Sequence, residues 1–212
     1  MGIVHRATLT PSKQEIVEGW LPSRAWAVGR TIAEKVAEYR YDDPDGEVGV
    51  ETILWRADDG TLFQTPLTYR AEPLAGADEH LITTTDHSVL GERWVYDGCG
   101  DPVWASTLAA AIVAGARQSQ MFLVGDDGER IDVPARMQVR GSGSDDAAPV
   151  VAGIDAVTDE VSADGAVTVV SAGPVEIAVA RIVGTPLGGG PRLSGTIGDS
   201  VETFDLAVLR RG

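Results

Sequence analysis

The sequence predicts an α+β protein in which helices and a meander of strands precede a mostly β region. Two segments, residues 10–22 and 101–115, have the capping residues and apolar spacing of amphipathic helices. Between them, alternating polar and apolar residues are interrupted by turns rich in Asp and Gly, which is typical of an antiparallel sheet with one buried face. After Gln120, short strand-like segments are separated by Gly, Asp and Pro.

The first predicted helix lies in the segment TPSKQEIVEGWLP. Thr10 or Ser12 is a suitable N-cap, and Ser12 with Glu15 has the spacing of a capping box. Pro22 is expected to end the helix. The apolar face of this helix contains Ile16, Val17, Trp20 and Leu21.

Two turns, at Asp42–Gly46 and Ala57–Gly60, divide residues 33–70 into three predicted strands. The start of the first strand has a helical alternative, because TIAEKVAEY also fits a period of 3.6 residues. The aromatic and β-branched segment ERWVYDG predicts a fourth strand. The stretch before it, EPLAGADEHLITTTDHS, is expected to be a connector.

A second helix is predicted after this strand. Asp101 is its expected N-cap, and Pro102 suits its first turn. Farther along, GDDG at Gly125–Gly128 predicts a hairpin turn. We therefore expect a first unit of residues 1–120 and a β-rich second unit of residues 121–212 packed on it, with one single domain as the alternative. The apolar stripe of the second helix contains Trp104, Leu108, Ala111, Ile112 and Gly115.

The composition excludes several classes of partner. The chain has 32 acidic and 17 basic residues, a net charge of −15, so we expect it to bind neither nucleic acid nor an anionic membrane.

No apolar run is long enough to span a bilayer, and the N-terminus lacks the apolar segment of a signal peptide. Cys99 is the single cysteine, which fits a reducing compartment. We expect a cytoplasmic protein.

The motifs of common catalytic centres are absent from the sequence. Cys99 lies in a Gly-rich turn and His87 in a different segment, so a thiol–imidazole pair is not indicated. The histidines lack zinc spacing, and the Gly-rich stretch at 184–195 lacks the Lys–Ser/Thr pair of a phosphate-binding loop. The Asp pairs lie in turns, where they bind backbone groups. We therefore predict no enzyme, no metal and no cofactor.

Large aromatic residues are more often buried than exposed, because each removes a large apolar area from water. We expect Trp20, Trp94 and Trp104 in the core. For Trp26 the same expectation is weaker, and the residue is available for binding.

Two stretches resemble a known family. EGWLPSRAWAVG, at Glu18–Gly29, resembles the opening of the N-terminal cap of actinobacterial maltokinases, although Ala25 and Ala27 flank Trp26 where that family has Arg and an aromatic residue. TPLTYR and DHSVLGERWVYDGCGDPV resemble stand-alone proteins with a cap-like domain. The resemblance covers about residues 3–120, and it implies a cystatin-like curved antiparallel sheet with flanking helices.

In maltokinases the cap precedes a kinase domain. The residues with which such a kinase binds phosphate and catalyses transfer do not occur in this sequence. No lysine follows Lys35 and no histidine follows His87, so neither the phosphate-binding lysine nor the catalytic loop of such a kinase is present. The resemblance therefore implies a non-catalytic module that binds a partner or ligand in maltose, trehalose or α-glucan (glycogen) metabolism. The implied partner is a separately encoded sugar kinase, of which the chain would be an accessory subunit, or a glucan enzyme. A homo-oligomer formed through an exposed sheet edge is a further alternative.

The competing hypothesis is a small-molecule or carbohydrate-binding protein. Its binding residues would line one cleft. These candidate residues are Trp26, Tyr69, Arg70, His87 and Arg93.

Overall fold

A computed structural model of the chain describes residues 2–4, 7–124 and 129–211. The described chain is mostly β, with 47% of residues in strands, and contains the α-helices α1 (Lys13–Trp20) and α2 (Pro102–Ala114). No helix in these ranges is long and apolar enough to cross a membrane.

The described strands form two six-stranded sheets and one small sheet. The first sheet has the order β2-β6-β7-β5-β4-β3 and contains β2 (Leu9–Thr10), β3 (Ile32–Asp42), β4 (Gly49–Ala57), β5 (Leu62–Arg70), β6 (Leu81–His87) and β7 (Gly91–Asp97). The second has the order β10-β14-β15-β13-β12-β11 and contains β10 (Met137–Gly141), β11 (Ala156–Ser162), β12 (Gly165–Ala172), β13 (Val175–Ala180), β14 (Arg192–Ile197) and β15 (Phe204–Arg211). The small sheet has the order β1-β8-β9 and contains β1 (Gly2–Val4), β8 (Met121–Val124) and β9 (Arg130–Val133).

Helix α1 begins and ends where the sequence predicts. The Ser12 hydroxyl accepts a hydrogen bond from the backbone N–H of Glu15, and the Glu15 carboxylate accepts one from the N–H of Ser12, which completes the capping box. Ile16 and Val17 are buried. After Trp20 the chain tightens into a 3₁₀ turn that contains Pro22.

The predicted meander is confirmed in strands β3, β4 and β5, which pair antiparallel. The helical alternative for the start of β3 is wrong. Ala37, Tyr39 and Tyr41 alternate with more exposed residues and face a shared core, as the period of a strand requires.

The connector prediction for the segment before β7 is wrong in its second half. Residues Leu81–His87 form strand β6, in which Thr83 lies opposite Val95 and Thr85 opposite Arg93. The stretch LITTTDH is rich in β-branched side chains, which fit the half-buried surface of a sheet. β6 thereby extends the first sheet beyond the predicted fourth strand, β7.

The first sheet is covered on both faces. Ile53 and Trp55 of β4 pack against α1 and the 3₁₀ turns that follow it, whereas Val50 and Leu54 pack against α2 and the second sheet. Six consecutive residues, Val50–Trp55, are consequently buried. Such continuous burial is characteristic of a strand with a covering layer on each side.

Helix α2 has the predicted ends. The Asp101 carboxylate accepts a hydrogen bond from the N–H of Val103, and Pro102 occupies the first turn. Gly115 ends the helix in the left-handed conformation, with φ of 64°. The predicted β content of the second half is present as strands β8–β15. The predicted turn Gly125–Gly128 lies outside the described residues, although the flanking strands β8 and β9 pair antiparallel.

The hydrophobic core is continuous across residue 120. One cluster contains Tyr39 and Leu54 from the first half together with Ile177 and Leu206 from the second. The buried amide of Gln64 donates to the carbonyl oxygens of Ala180 and Leu206, at 3.0 and 2.9 Å. The division into units of residues 1–120 and 121–212 stays a prediction, but the two halves share their interior.

Candidate functional site

Trp26 is a core residue in this structure. It lies in the 3₁₀ turn Ala25–Ala27 and is 1% exposed. Its ring centroid is 5.7 Å from that of Trp20 and 5.6 Å from that of Phe63. The expectation that Trp26 is available for binding is therefore wrong, because the 3₁₀ turn packs its indole against the first sheet. Trp20, Trp55 and Trp104 are also buried, and Trp94 is half-buried.

Tyr69 and Arg70 point to opposite faces of the first sheet. The Tyr69 hydroxyl donates to Glu51 on the α1 side, at 3.1 Å, whereas the Arg70 guanidinium binds Asp101 on the α2 side. Adjacent residues of a regular strand point to opposite faces of the sheet. The five candidate residues therefore do not line one cleft.

Arg70 anchors helix α2 to the first sheet. Its Nε and Nη2 atoms donate to the two carboxylate oxygens of Asp101, each at 2.7 Å, and the Thr68 hydroxyl donates to the same carboxylate at 2.8 Å. The hydrogen bond to Asp101 raises the pKa of Arg70. Asp101 is fully buried, so this fork-like pair has a structural function.

Tyr69 belongs to a second polar cluster, which docks α1 on the opposite face. Lys13 Nζ lies 2.7 Å from Glu51 Oε1, and Glu51 is buried. Burial would raise the pKa of Glu51, but the charges of Lys13 and Arg40 hold it below its usual value. Burial, together with the neighbouring Glu51 charge, raises the pKa of Tyr69. The cluster therefore contains an ionised Glu51 and a neutral Tyr69.

His87 and Arg93 organise the tip of the β6–β7 hairpin, residues Ser88–Leu90. The His87 Nδ1 atom accepts hydrogen bonds from the backbone N–H groups of Val89 and Leu90, at 3.2 and 3.1 Å. Arg93 Nη2 donates to the carbonyl oxygen of Leu90 at 2.7 Å. The tip presents Val89 and Leu90, which are 57% and 46% exposed. These two candidate residues thus hold an exposed apolar turn in one conformation.

A buried ion pair between the two halves is not indicated by the sequence. Arg181 is 1% exposed, and its Nη2 lies 2.5 Å from Asp97 Oδ2 while its Nε donates to the Thr168 hydroxyl at 2.6 Å. Its guanidinium carbon lies 5.9 and 5.2 Å from the rings of Trp20 and Trp26. Because Asp97 and Arg181 are 84 positions apart, local sequence patterns hold no signal for their contact.

The described residues do not assemble a catalytic thiol or a metal site. Cys99 is buried, and burial raises the pKa of its thiol well above the usual value. His87 and Cys99 lie at opposite ends of β7. His87 pairs with Gly91, the first residue of the strand, whereas Cys99 comes two positions after Asp97, the last residue. No cluster of three metal-ligating side chains occurs in the described ranges, and His5 lies outside them.

The described residues form, among their concave sites, two surface grooves. One, of about 400 Å³, lies between α1 and β6 and includes Trp20, Arg24 and Glu79. The other, of about 350 Å³, lies on β10 and β14 and includes Arg117 and Arg140. Both are large enough for a small molecule.

Comparison with known proteins finds one similarity, which covers most of the first sheet. No curated protein matches the chain. Residues 20–101 match the family model of the maltokinase N-terminal cap domain, a stretch that contains β3 to β7 and all five candidate residues. The matched module is non-catalytic, and no kinase domain is matched in this chain. The predicted resemblance is confirmed over these residues: from Trp20 to Asp101 the chain is similar to the maltokinase N-terminal cap domain.

Proposed function

We propose that the chain is a non-catalytic cap-like module that binds a partner protein of maltose, trehalose or α-glucan metabolism. The match of residues 20–101 to a maltokinase N-terminal cap domain is the observation on which this proposal rests. The first sheet is curved and antiparallel and has helices beside it, which supports assigning it to the cystatin-like fold of that cap. The proposed partner is a separately encoded sugar kinase or a glucan enzyme.

The hairpin tip Ser88–Leu90 is the surface we propose for this contact. The central strands of the first sheet have no free face, because α1 covers one side and α2 with the second sheet covers the other. The tip combines two adjacent exposed apolar side chains with a backbone fixed by His87 and Arg93. A turn that is already ordered loses little conformational entropy on binding, which favours affinity.

The carbohydrate-cleft alternative receives little support from the geometry. Trp26 is buried, and Tyr69 and Arg70 are held by Glu51 and Asp101 on opposite faces of the sheet. A sugar-stacking site needs exposed aromatic faces. We therefore favour binding of a partner protein over binding of a carbohydrate ligand.

The test uses the full chain and purified sugar kinases and glucan enzymes from the same genome. We expect a complex by isothermal titration calorimetry and by sedimentation. Replacing both tip residues, V89D and L90D together, should weaken it at least tenfold, or about 1.4 kcal/mol. Val201→Asp is the matched control, because Val201 is 97% exposed but lies far along the chain, before β15.

Three outcomes would contradict the proposal. The first is the absence of binding to every enzyme tested, and the second is assembly of the chain with itself alone. The third is ATP-dependent sugar phosphorylation by the purified chain, which would show that it is a catalyst. Equal loss of binding in the tip variant and in V201D would remove the tip as the contact surface.

A further inference from the structure

We propose that the groove on β10 and β14 binds the phosphate group of a small phosphorylated molecule. This groove lies in the second half of the chain, outside the cap-like residues 20–101. The inference therefore goes beyond the partner-binding function proposed above, and neither depends on the other.

The floor of the groove is the outer face of two paired strands. Gln138 lies opposite Thr196, and Arg140 lies opposite Ser194, in the antiparallel register of β10 and β14. Their strand neighbours face inward, and Val139 is buried in the core. The sheet thus places a continuous row of polar side chains on one surface. The residues that line the groove are Arg117, Gln138, Val139, Arg140, Gly141, Ser142, Ser194, Gly195, Thr196 and Thr203, none of them acidic.

Two arginines at this groove have no carboxylate partner. Arg117 and Arg140 are adjacent, because their backbones form an antiparallel bridge, and neither makes an ion pair with the described residues. Within those residues both lysines and seven other arginines are ion-paired, whereas Arg24, Arg40, Arg93 and Arg136, like the two arginines of the groove, are not. The seven are Arg30, Arg56, Arg70, Arg181, Arg192, Arg210 and Arg211. In a chain with a net charge of −15, this groove is consequently a local positive site.

The segment that contributes Arg117 is fixed to the sheet. The Gln118 side chain donates to the carbonyl oxygen of Met137 and accepts from the N–H of Val139, both at 2.8 Å. Arg140 Nε donates to the carbonyl oxygen of Gly115 at 3.2 Å. This bond orients the guanidinium and leaves its two terminal nitrogens available to a ligand. The groove is therefore ordered before binding, which lowers the entropic cost of association.

One carboxylate touches the groove from the side. Asp205 accepts a hydrogen bond from the Ser194 hydroxyl at 2.8 Å, but its other oxygen is paired with Arg192 at 2.6 Å. The Arg192 charge offsets that of Asp205, so the two unpaired arginines determine the sign of the local field.

The donor set matches a phosphomonoester. Arginine presents planar, forked N–H groups that bind two phosphate oxygens at once, and the Thr196 and Thr203 hydroxyls supply further donors. The volume of about 350 Å³ exceeds that of a phosphate ion, so there is room for an organic part beside it. The Gln138 amide can donate to and accept from hydroxyl groups on that part.

The experiment is an NMR titration, in which the ¹⁵N-labelled full chain is titrated with inorganic phosphate and, separately, with glycerol phosphate. We expect saturable shifts at the amides of Ser194 and Thr196, with glycerol phosphate binding more tightly. The double variant R117Q/R140Q should weaken binding at least tenfold. Arg56→Gln is the matched control, because Arg56 is exposed but lies on the first sheet and is paired with Glu34. It should bind phosphate as the unaltered chain does.

Sodium chloride at equal ionic strength distinguishes specific binding from screening of charge. Equal shifts with chloride, shifts spread over the whole surface, or undiminished binding by R117Q/R140Q would each overturn the proposal. If the double variant is unfolded by circular dichroism, the single variant R117Q replaces it. The result does not depend on any partner enzyme, so its failure leaves the function proposed for the cap-like region unaffected.

Discussion

Removing the charge of Asp97 should destabilise the whole protein, because it leaves the Arg181 guanidinium buried without its partner. Asp97→Asn is nearly the same size and retains an oxygen that can accept the hydrogen bond from the N–H of Cys99. The change therefore tests the charge and not the packing. Arg181 is 1% exposed, so water cannot replace the lost carboxylate.

The expected loss is large. Breaking a buried ion pair by removing one partner costs about 3–5 kcal/mol, since the remaining charge keeps its desolvation penalty. The free energy of unfolding of a protein domain is about 5–15 kcal/mol, so the substitution removes a substantial fraction of the stability of the fold. With a urea dependence of about 2 kcal/mol per M, the midpoint of unfolding should fall by about 2 M.

Urea unfolding followed by tryptophan fluorescence measures this shift. Glu34→Gln is the control, because its ion pair with Arg56 is exposed and such pairs contribute less than about 1 kcal/mol. A second substitution, Arg181→Met in the Asp97→Asn background, should recover part of the loss, since an apolar side chain can pack against the indoles of Trp20 and Trp26. A loss below about 1 kcal/mol for Asp97→Asn would refute the reasoning.

Three further predictions concern backbone fit, pH and thiol reactivity. Gly141→Ala should cost about 1–3 kcal/mol, because an added Cβ would lie 2.2 Å from a carbonyl oxygen of α2, whereas Gly153→Ala, with nothing within 4 Å, should be close to neutral in thermal unfolding. Burial raises the pKa of Tyr39 and Tyr41 above the usual value of about 10, so these tyrosines ionise first in the unfolded chain; their contribution to stability should be full below about pH 10 and fall above it by about 1.4 kcal/mol per pH unit per tyrosine, and Tyr41→Phe should reduce that slope in unfolding titrations. The Cys99 thiol should resist iodoacetamide at about pH 8 until the protein unfolds, as judged by mass spectrometry, and rapid labelling of the folded chain would contradict its burial.

Local signals in the sequence were sufficient for the helices and most of the first sheet. The Ser12–Glu15 capping box and the Asp101–Pro102 pair each identify a helix start, because capping depends on residues within one turn. Strand β6 also had a signal in its β-branched residues, but the surrounding polar and turn-forming residues obscured it. Trp26 had none, since a 3₁₀ turn of three residues has no periodicity from which a buried face can be inferred.

The candidate site was predictable only in part. The sequence singles out His87 and Arg93 as candidate binding residues, which stays a prediction, and their bonds to the tip backbone depend on a turn geometry that the sequence does not show. Tyr69 and Arg70 were placed in one cleft, although strand alternation alone is sufficient to separate them. The contacts of Gln64 with residues 180 and 206 join segments more than a hundred positions apart, so they arise from tertiary packing alone.

The strand order of the second sheet also determines when it can form during synthesis. β15, at Phe204–Arg211, lies between β13 and β14 and joins β10-β14 to β11-β12-β13. Until the ribosome has released β15, these two groups of strands have no hydrogen-bonded connection, and the facing edges of β13 and β14 are unpaired. Unpaired edges of nascent chains are sites of aggregation and of chaperone binding. We therefore expect the second sheet to cover the cap-like region only after β15 has been translated.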